Sequence, residues 1–316
     1  MMIVFVVTGL LLLLVGGGML VNGAVGLARS WRVSPLVIGL TVVAFGTSAP
    51  ELVVSLNAAL SGHPDIVLGN VVGSNIANVL AMIGVAALFA PILIVGRTVR
   101  RDGAILLLVS LVFVSLCLRG TIDRPIGVLM VLLLVGYTVW SFWAARRAAA
   151  PAIAGLGDEI KEASTKPWEA MLFTVGGIAG VIIGADLLID GAVEVARLAG
   201  LSEAVIGLSL VAFGTSLPEI ATAGMAAWRG HSDLAIGNVL GSNLFNILAI
   251  AGITALVVPV PVAAELLAFD LWVMLAVTVG LLLMITVRRR IGRLEGAALV
   301  AGYGLYITLI VSPGTI

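Results

Sequence analysis

The sequence predicts an all-α membrane protein of ten spanning helices, arranged as two five-helix repeats of opposite orientation. Three observations carry this. Of the 316 residues 61% are hydrophobic and only 11% charged, more apolar surface than a soluble fold of that length can hide. Most apolar runs reach the ~20 residues that a spanning helix needs, and the period-2 alternation of a membrane barrel is absent. A long stretch of the chain also occurs twice, once in each half.

In order along the chain, apolar segments fall at 2–28, 34–60, 66–94, 103–118, 125–144, 168–196, 203–228, 233–258, 266–287 and 294–312. The first lacks the basic n-region and small-residue cleavage site of a signal peptide, so it reads as a retained helix. The longest connection, 145–167, is rich in alanine, charge and proline. It reads as a short surface helix or flexible linker dividing the chain into 1–144 and 168–316. With the N-terminus outside, 14 of the 17 Lys and Arg residues fall in cytoplasmic loops and 3 (Arg119, Arg124, Arg197) outside. That bias orients a protein of the plasma (inner) membrane with both termini outward. Cys117 is the single cysteine, which excludes an intramolecular disulfide and a multi-cysteine metal site and leaves a packing role.

Residues 37–84 (VIGLTVVAFGTSAPELVVSLNAALSGHPDIVLGNVVGSNIANVLAMIG) align without a gap with 205–252 (VIGLSLVAFGTSLPEIATAGMAAWRGHSDLAIGNVLGSNLFNILAIAG), and 27 of the 48 positions are identical. Such self-similarity marks a duplicated unit. Five spans is an odd number, so the second unit enters the membrane from the opposite side. Inverted repeats place a substrate site at mid-membrane on a pseudo-two-fold axis, which favours a carrier.

Glu51 is the only charged residue of the second span, and Glu219 the only one inside the seventh, whose first residue is Glu203. A mid-membrane ionisable group costs at least ~2.5–3.5 kcal/mol, so it normally faces a cavity, a partner or an ion. Pro50 and Pro218, with Gly46 and Gly214 four residues earlier, should break each helix just before its glutamate and free carbonyl oxygens, those of Gly46 and Gly214 first. Thr47 and Thr215 lie four residues before the glutamates and share their helix face. Ser48 and Ser216 read equally as ligands or as hydroxyls bonded back to the preceding turn. In spans three and eight, Gly69-Asn-Val-Val-Gly-Ser-Asn and Gly237-Asn-Val-Leu-Gly-Ser-Asn permit close helix approach. Ser74 with Asn78, and Ser242 with Asn246, add neutral oxygens on one face, while Asn70, Asn75, Asn238 and Asn243 read as ligands or as interhelical hydrogen bonds. Carboxylate, hydroxyl, amide and main-chain oxygens without thiol or imidazole suit Ca²⁺ or Na⁺ and argue against zinc or copper. His63 and His231, in the turns that follow, read as capping or interfacial. Asp186, Asp190 and Glu194 form an acidic stripe on span six, read as an outer approach to the site or as a solvated face.

The paired GTS-x-PE and GN-x-x-GSN motifs resemble the alpha repeats of the cation/calcium exchanger superfamily, the prokaryotic sodium/calcium exchangers in particular. The resemblance covers both repeats and the ten-span plan. It implies a diamond of four cation positions around Glu51 and Glu219. One end site would be formed by the Ala44 carbonyl, Thr47, Glu51 and Ser74, the other by the Ala212 carbonyl, Thr215, Glu219 and Ser242. Asn78 and Asn246 would flank the middle. Where the residues point to the Gly46 and Gly214 carbonyls, the resemblance points two residues earlier. Several relatives carry an aspartate at the position of Asn246, so this site is more symmetric and has one acidic group fewer. The linker lacks the large calcium-sensing domain of animal exchangers.

The function expected is Ca²⁺ exchange for Na⁺, with Ca²⁺/H⁺ exchange as the alternative. Ca²⁺ and Na⁺ are substrates rather than cofactors, and the bilayer is the expected partner, with no nucleic acid and no obligate protein partner. A cation channel would need an open path, which broken helices in inverted repeats fit poorly. Gly-Thr-Ser-x-Pro-Glu is not a nucleophile elbow and no histidine accompanies its serine, so an enzyme is not expected.

Overall fold

The computed structural model describes residues 2–94, 96–154, 166–198, 214–288 and 290–311. The expected spans have helical counterparts, and the first half of span seven, with Ala212, lies outside the described residues.

Span one is α1 (Met2–Trp31). Span two is discontinuous: α2 (Pro35–Ile38), a π-helical stretch at Gly39–Val43, α3 (Ala44–Thr47) and α4 (Ala49–Leu60), with a 43° bend between Pro35–Thr47 and Ala49–Leu60. Span three is α5 (Asp65–Ala77), a π-helical stretch at Asn78–Met82 and α6 (Ile83–Phe89). Spans four, five and six are α7 (Arg97–Cys117), α8 (Arg124–Ala154) and α9 (Pro167–Leu198). α8 therefore carries span five well into the expected linker. Span seven is described from Gly214 and contains α10 (Leu217–Trp228). Span eight is α11 (Ser232–Phe245), a π-helical stretch at Asn246–Ile250 and α12 (Ala251–Val257). Span nine is a π-helical stretch at Leu266–Asp270 and α13 (Leu271–Val287), and span ten is α14 (Arg293–Val311).

Among the described residues, six helices are long and apolar enough to cross a membrane alone, and a seventh follows if the bent pair is one span. The others carry charge in their end turns, as with Arg97, Arg100 and Arg101 opening α7.

α1 and α9, the first helices of the two repeats, pack on each other along their length through glycines. A methyl group added at Gly16 would lie 2.8 Å from the Gly180 carbonyl carbon, and one at Gly184 would lie 2.8 Å from the Leu13 nitrogen. Small residues here let backbones meet where lipid supplies no hydrophobic drive. At the centre, α11 buries every residue from Leu234 to Phe245. Gly237 and Gly241 bring it against the backbone of span two at Leu36, Gly39 and Leu40. The close approach expected of these glycines is therefore present in the second repeat; among the described residues, nothing comes within 4 Å of a methyl group at Gly69 or Gly73.

Two short antiparallel ribbons join the repeats. β1 (Ile92–Leu93) pairs with β4 (Arg290–Ile291), and β2 (Thr121–Ile122) with β3 (Val260–Pro261). The duplication maps one ribbon onto the other. β1 and β4 lie in the loops after spans three and nine, β2 and β3 in the loops after spans four and eight. An even number of spans separates each pair, so the ribbons cap opposite ends of the bundle.

Candidate functional site

Both glutamates stand in the first turn of a helix that restarts at a break. The break falls at Ser48 (φ −88°, ψ 9°) and at Ser216 (φ −88°, ψ 1°), followed by Pro50 and Pro218 in the first turns of α4 and α10. A proline there loses no hydrogen bond, because first-turn N–H groups have no helical acceptor. The freed N–H groups leave a partial positive charge at each helix start, which favours a carboxylate. Glu51 and Glu219 are each 1% exposed and lie within electrostatic range of each other. Among the described residues no basic side chain pairs with either.

Around them the lining is rich in acceptors. Glu51 Oε2, Glu219 Oε2, Asn75 Oδ1, Asn78 Oδ1 and Asn246 Oδ1 are buried without a hydrogen-bond donor, against a single buried nitrogen, Asn238 Nδ2, without an acceptor. A buried polar atom left unpaired costs about 1–3 kcal/mol. Five oxygens of that kind in one region, two of them from carboxylates, fit a hard cation and would suit neither an anion nor an apolar ligand.

Several bonds here cross between repeats. Ser48 Oγ donates to Glu219 Oε1 at 2.9 Å, so Ser48 serves the glutamate of the opposite repeat. Asn78 Nδ2 donates to Asn243 Oδ1 at 3.0 Å, and Asn243 Nδ2 reaches the Asn75 carbonyl at 3.5 Å. The Thr47 hydroxyl bonds back to the Val43 carbonyl at 3.1 Å and stands 3.5 Å from Asn238 Oδ1. Spending its proton backwards leaves the Thr47 oxygen free to act as an acceptor. Ser242 Oγ lies 3.4 Å from the same Asn238 oxygen. Ser74, Ser216 and Asn246 are buried in this region, and Thr215 is half-buried. The Ala44 carbonyl accepts the Ser48 N–H at 3.0 Å, which leaves it one lone pair.

Other expected residues take different roles. Asn70 supports α4 from outside the site, donating to the Glu51 carbonyl at 3.2 Å and to Ser55 Oγ at 2.9 Å. Asn75 Nδ2 bonds within its own helix, to the Val71 carbonyl. The turns at His63 and His231 are capped by main chain rather than imidazole: their N–H groups donate to the carbonyls of Ala58 and Ala226, and neither following helix has a side-chain cap. Burial, then Arg29 and Arg229, hold the His231 imidazole below its ordinary pKa. Asp186, Asp190 and Glu194 are exposed along α9. Cys117 is fully buried in the core.

The motifs give no sign of two further features. The π-helical stretches of spans three and eight begin at Asn78 and Asn246, and such bulges, frequent at functional sites, interrupt the regular carbonyl pairing there. A carboxylate and a tyrosine, one buried and the other half-buried, also lie together in each repeat. The Tyr306 hydroxyl donates to Asp270 Oδ1 at 2.9 Å. At the matching place Tyr137 lies beside Asp102, whose Oδ1 is held by Arg101 at 2.8 Å. The Tyr306–Asp270 bond ties the last two spans of the second repeat together, whereas the Tyr137 hydroxyl stands beside Asp102 without a hydrogen bond.

The arrangement is that of a cation carrier: two repeats, two facing helix breaks, and an oxygen-lined centre shared between them. The model of the sodium/calcium exchanger protein family matches residues 1–143 and 169–312, and the chain belongs to that family. It is 33% identical over 336 residues to the sodium/calcium exchanger MaX1 of Methanosarcina acetivorans, covering 96% of each chain. It is 34% identical over 308 residues to the inner membrane protein YrbG of Escherichia coli, covering 96% of this chain and 95% of that one. Among solved structures it resembles the sodium-calcium exchanger NCX_Mj, with a TM-score of 0.84 at 30% identity over 98% of this chain and 99% of the other. Its relatives are transporters, and it is a cation exchanger of the membrane.

Proposed function

We propose that this chain exchanges Ca²⁺ for Na⁺ by alternating access at a mid-membrane site built on Glu51 and Glu219. The observation that carries the reading is the pair of buried carboxylates, each at a helix start, each with one oxygen lacking a donor, and neither paired with a basic group. Two negative charges balance one Ca²⁺. Thr47, Thr215, Ser74, Ser242, Asn78, Asn246, Ser48, Ser216 and the carbonyls of Ala44 and Ala212 complete the proposed ligand set. The repeats at 1–144 and 168–316 rock against each other, joined by 145–167. The charge bias of the loops supports a plasma-membrane protein with both termini outside.

Ca²⁺ flux into everted vesicles, with Na⁺ and pH gradients imposed separately, tests this. A Na⁺ gradient alone should drive Ca²⁺ movement. Flux that follows only the pH gradient would replace Na⁺ by H⁺ as the coupled ion, and no Ca²⁺ movement under either gradient would refute the reading.

A further inference from the structure

The duplication provides an internal comparison: residues related by the 168-residue offset hold the same place in the two repeats, so unequal burial between them marks where the repeats differ in sequence or in packing. They differ most in spans two and seven. Of the twelve residues of α4 only Glu51, Ser55 and Ala59 are buried, whereas eight of the twelve in α10 are. Val53 and Val54 are 56% and 43% exposed, while their counterparts Ala221 and Thr222 are half-buried and buried.

α10 packs against α1, α6 and α11, and the contact with α1 runs to the end that carries Arg229. A methyl group at Gly17 would lie 3.5 Å from both the Ala221 carbonyl oxygen and Met225 Cβ. One turn further along α10, Arg229 Nη1 donates to the Gly18 carbonyl at 3.0 Å and to Asn22 Oδ1 at 2.6 Å. Gly18 makes room for this guanidinium, since an added methyl group would stand 2.7 Å from Nη2. α9, the counterpart of α1, has no comparable contact along α4. The bundle is thus shut along α1 and α10, at the end that carries Arg229, and parted along α9 and α4, at the end that carries Ser61.

Both Arg229 bonds tie α1 to the end of α10, so any movement that parts α1 from α10 must break them. In the opposite state the duplication requires Ser61 to approach Asp186 and Asp190, the counterparts of Gly18 and Asn22. A serine is too short to span the distance that the arginine spans, so the tie exists in one end state and has no equivalent in the other. We propose that Arg229 is a positioning residue that latches α1 onto α10, holding the empty carrier closed at its own face and open at the Ser61 face. In the charge-based topology the closed face is the cytoplasmic one. The inference rests on the alternating-access reading above and adds which side the resting carrier presents, and why.

The test uses single-cysteine variants in a Cys117→Ala background, with Asn57→Cys and the equivalent Met225→Cys labelled by a membrane-impermeant maleimide from each face of reconstituted vesicles. Adding Arg229→Gln should slow labelling at position 57 and speed it at position 225, each several-fold, because a hydrogen bond from a charged group shifts an equilibrium by roughly tenfold or more. Gly18→Ala, which displaces the guanidinium without altering it, should shift both rates in the same directions. Where Ca²⁺ exchange is followed, apparent affinity should weaken at the Ser61 face and strengthen at the Arg229 face, since apparent affinity scales with the population of the competent state. Unchanged labelling in both variants, or affinities that move together at the two faces, would overturn the latch. Labelling reads the two conformations whatever ion is carried, so it fails only with this proposal, whereas an inert wild-type chain in the flux assay fails only the exchange reading.

Discussion

Replacing Glu51 by glutamine should have opposite effects on ion binding and on the stability of the ion-free protein. Glu51 is 1% exposed and its Oε2 has no donor. A carboxylate oxygen about 2.4 Å from Ca²⁺ contributes a gross attraction of about 7 kcal/mol at an effective dielectric constant of ~20. The amide retains an oxygen dipole, and a neutral group costs less to bury. If only about a third of the attraction survives as a net difference, the loss is roughly 2.3 kcal/mol, or about 50-fold in affinity at ~1.36 kcal/mol per tenfold. In buffer without Ca²⁺ or Na⁺ the same substitution removes a buried charge that lacks a partner, and the melting temperature should rise or hold. Calorimetric titration of the purified protein with Ca²⁺, beside thermal unfolding with and without the ion, measures both effects. Wild-type Ca²⁺ affinity in a folded Glu51→Gln protein would refute the reasoning, as would a drop in ion-free stability, which would make Glu51 a structural group.

The same structure makes three further predictions. Cysteines at Ser61 and Arg229, equivalent turn positions in the two repeats, should be labelled from opposite faces of the membrane; labelling of both from one face would remove the inverted topology. Asp190→Asn should lower Ca²⁺ affinity or rate modestly, and by less at high salt, because an exposed charge is screened over about 8 Å at physiological ionic strength; complete, salt-independent loss would make it a ligand. Gly16→Ala should lower the melting temperature by separating α1 from α9, since its methyl group would press on backbone 2.8 Å away, an overpacking cost of about 1–3 kcal/mol; an unchanged transition would show that the two helices have room to part.

Much of this was legible in the sequence because the membrane removes options. A charged residue in an apolar span is conspicuous, and repetition of Gly-Thr-Ser-x-Pro-Glu at a fixed offset shows that the charge is placed, so Glu51 and Glu219 could be singled out before any coordinates. The helix break before each proline was also legible, since proline chemistry is local. What crosses between repeats was not. Nothing in the spacing of Ser48 says that it donates to Glu219, 171 positions away, or that Thr47 meets Asn238. A motif orders residues along one helix and is silent about the facing one. The Asp102–Tyr137 and Asp270–Tyr306 pairs escaped for another reason: between them the offset slips from 168 to 169 at the intervening loop, so an ungapped comparison aligns Tyr137 with Leu305. The unequal burial of α4 and α10 was not legible either, because a motif does not say which helices pack against its own.

The ribbons bear on how such a chain is assembled. Each takes one strand from each half, β1 with β4 at one end and β2 with β3 at the other. A five-helix half made alone would therefore hold two strand fragments with unpaired main-chain groups and no partner of its own for either. Two halves brought together complete both ribbons at once, whether they are the halves of this chain severed within 145–167 or two copies of a single ancestral half. The stitching that makes one body of two repeats thus lies at the two ends of the bundle, where each half completes the other's strands.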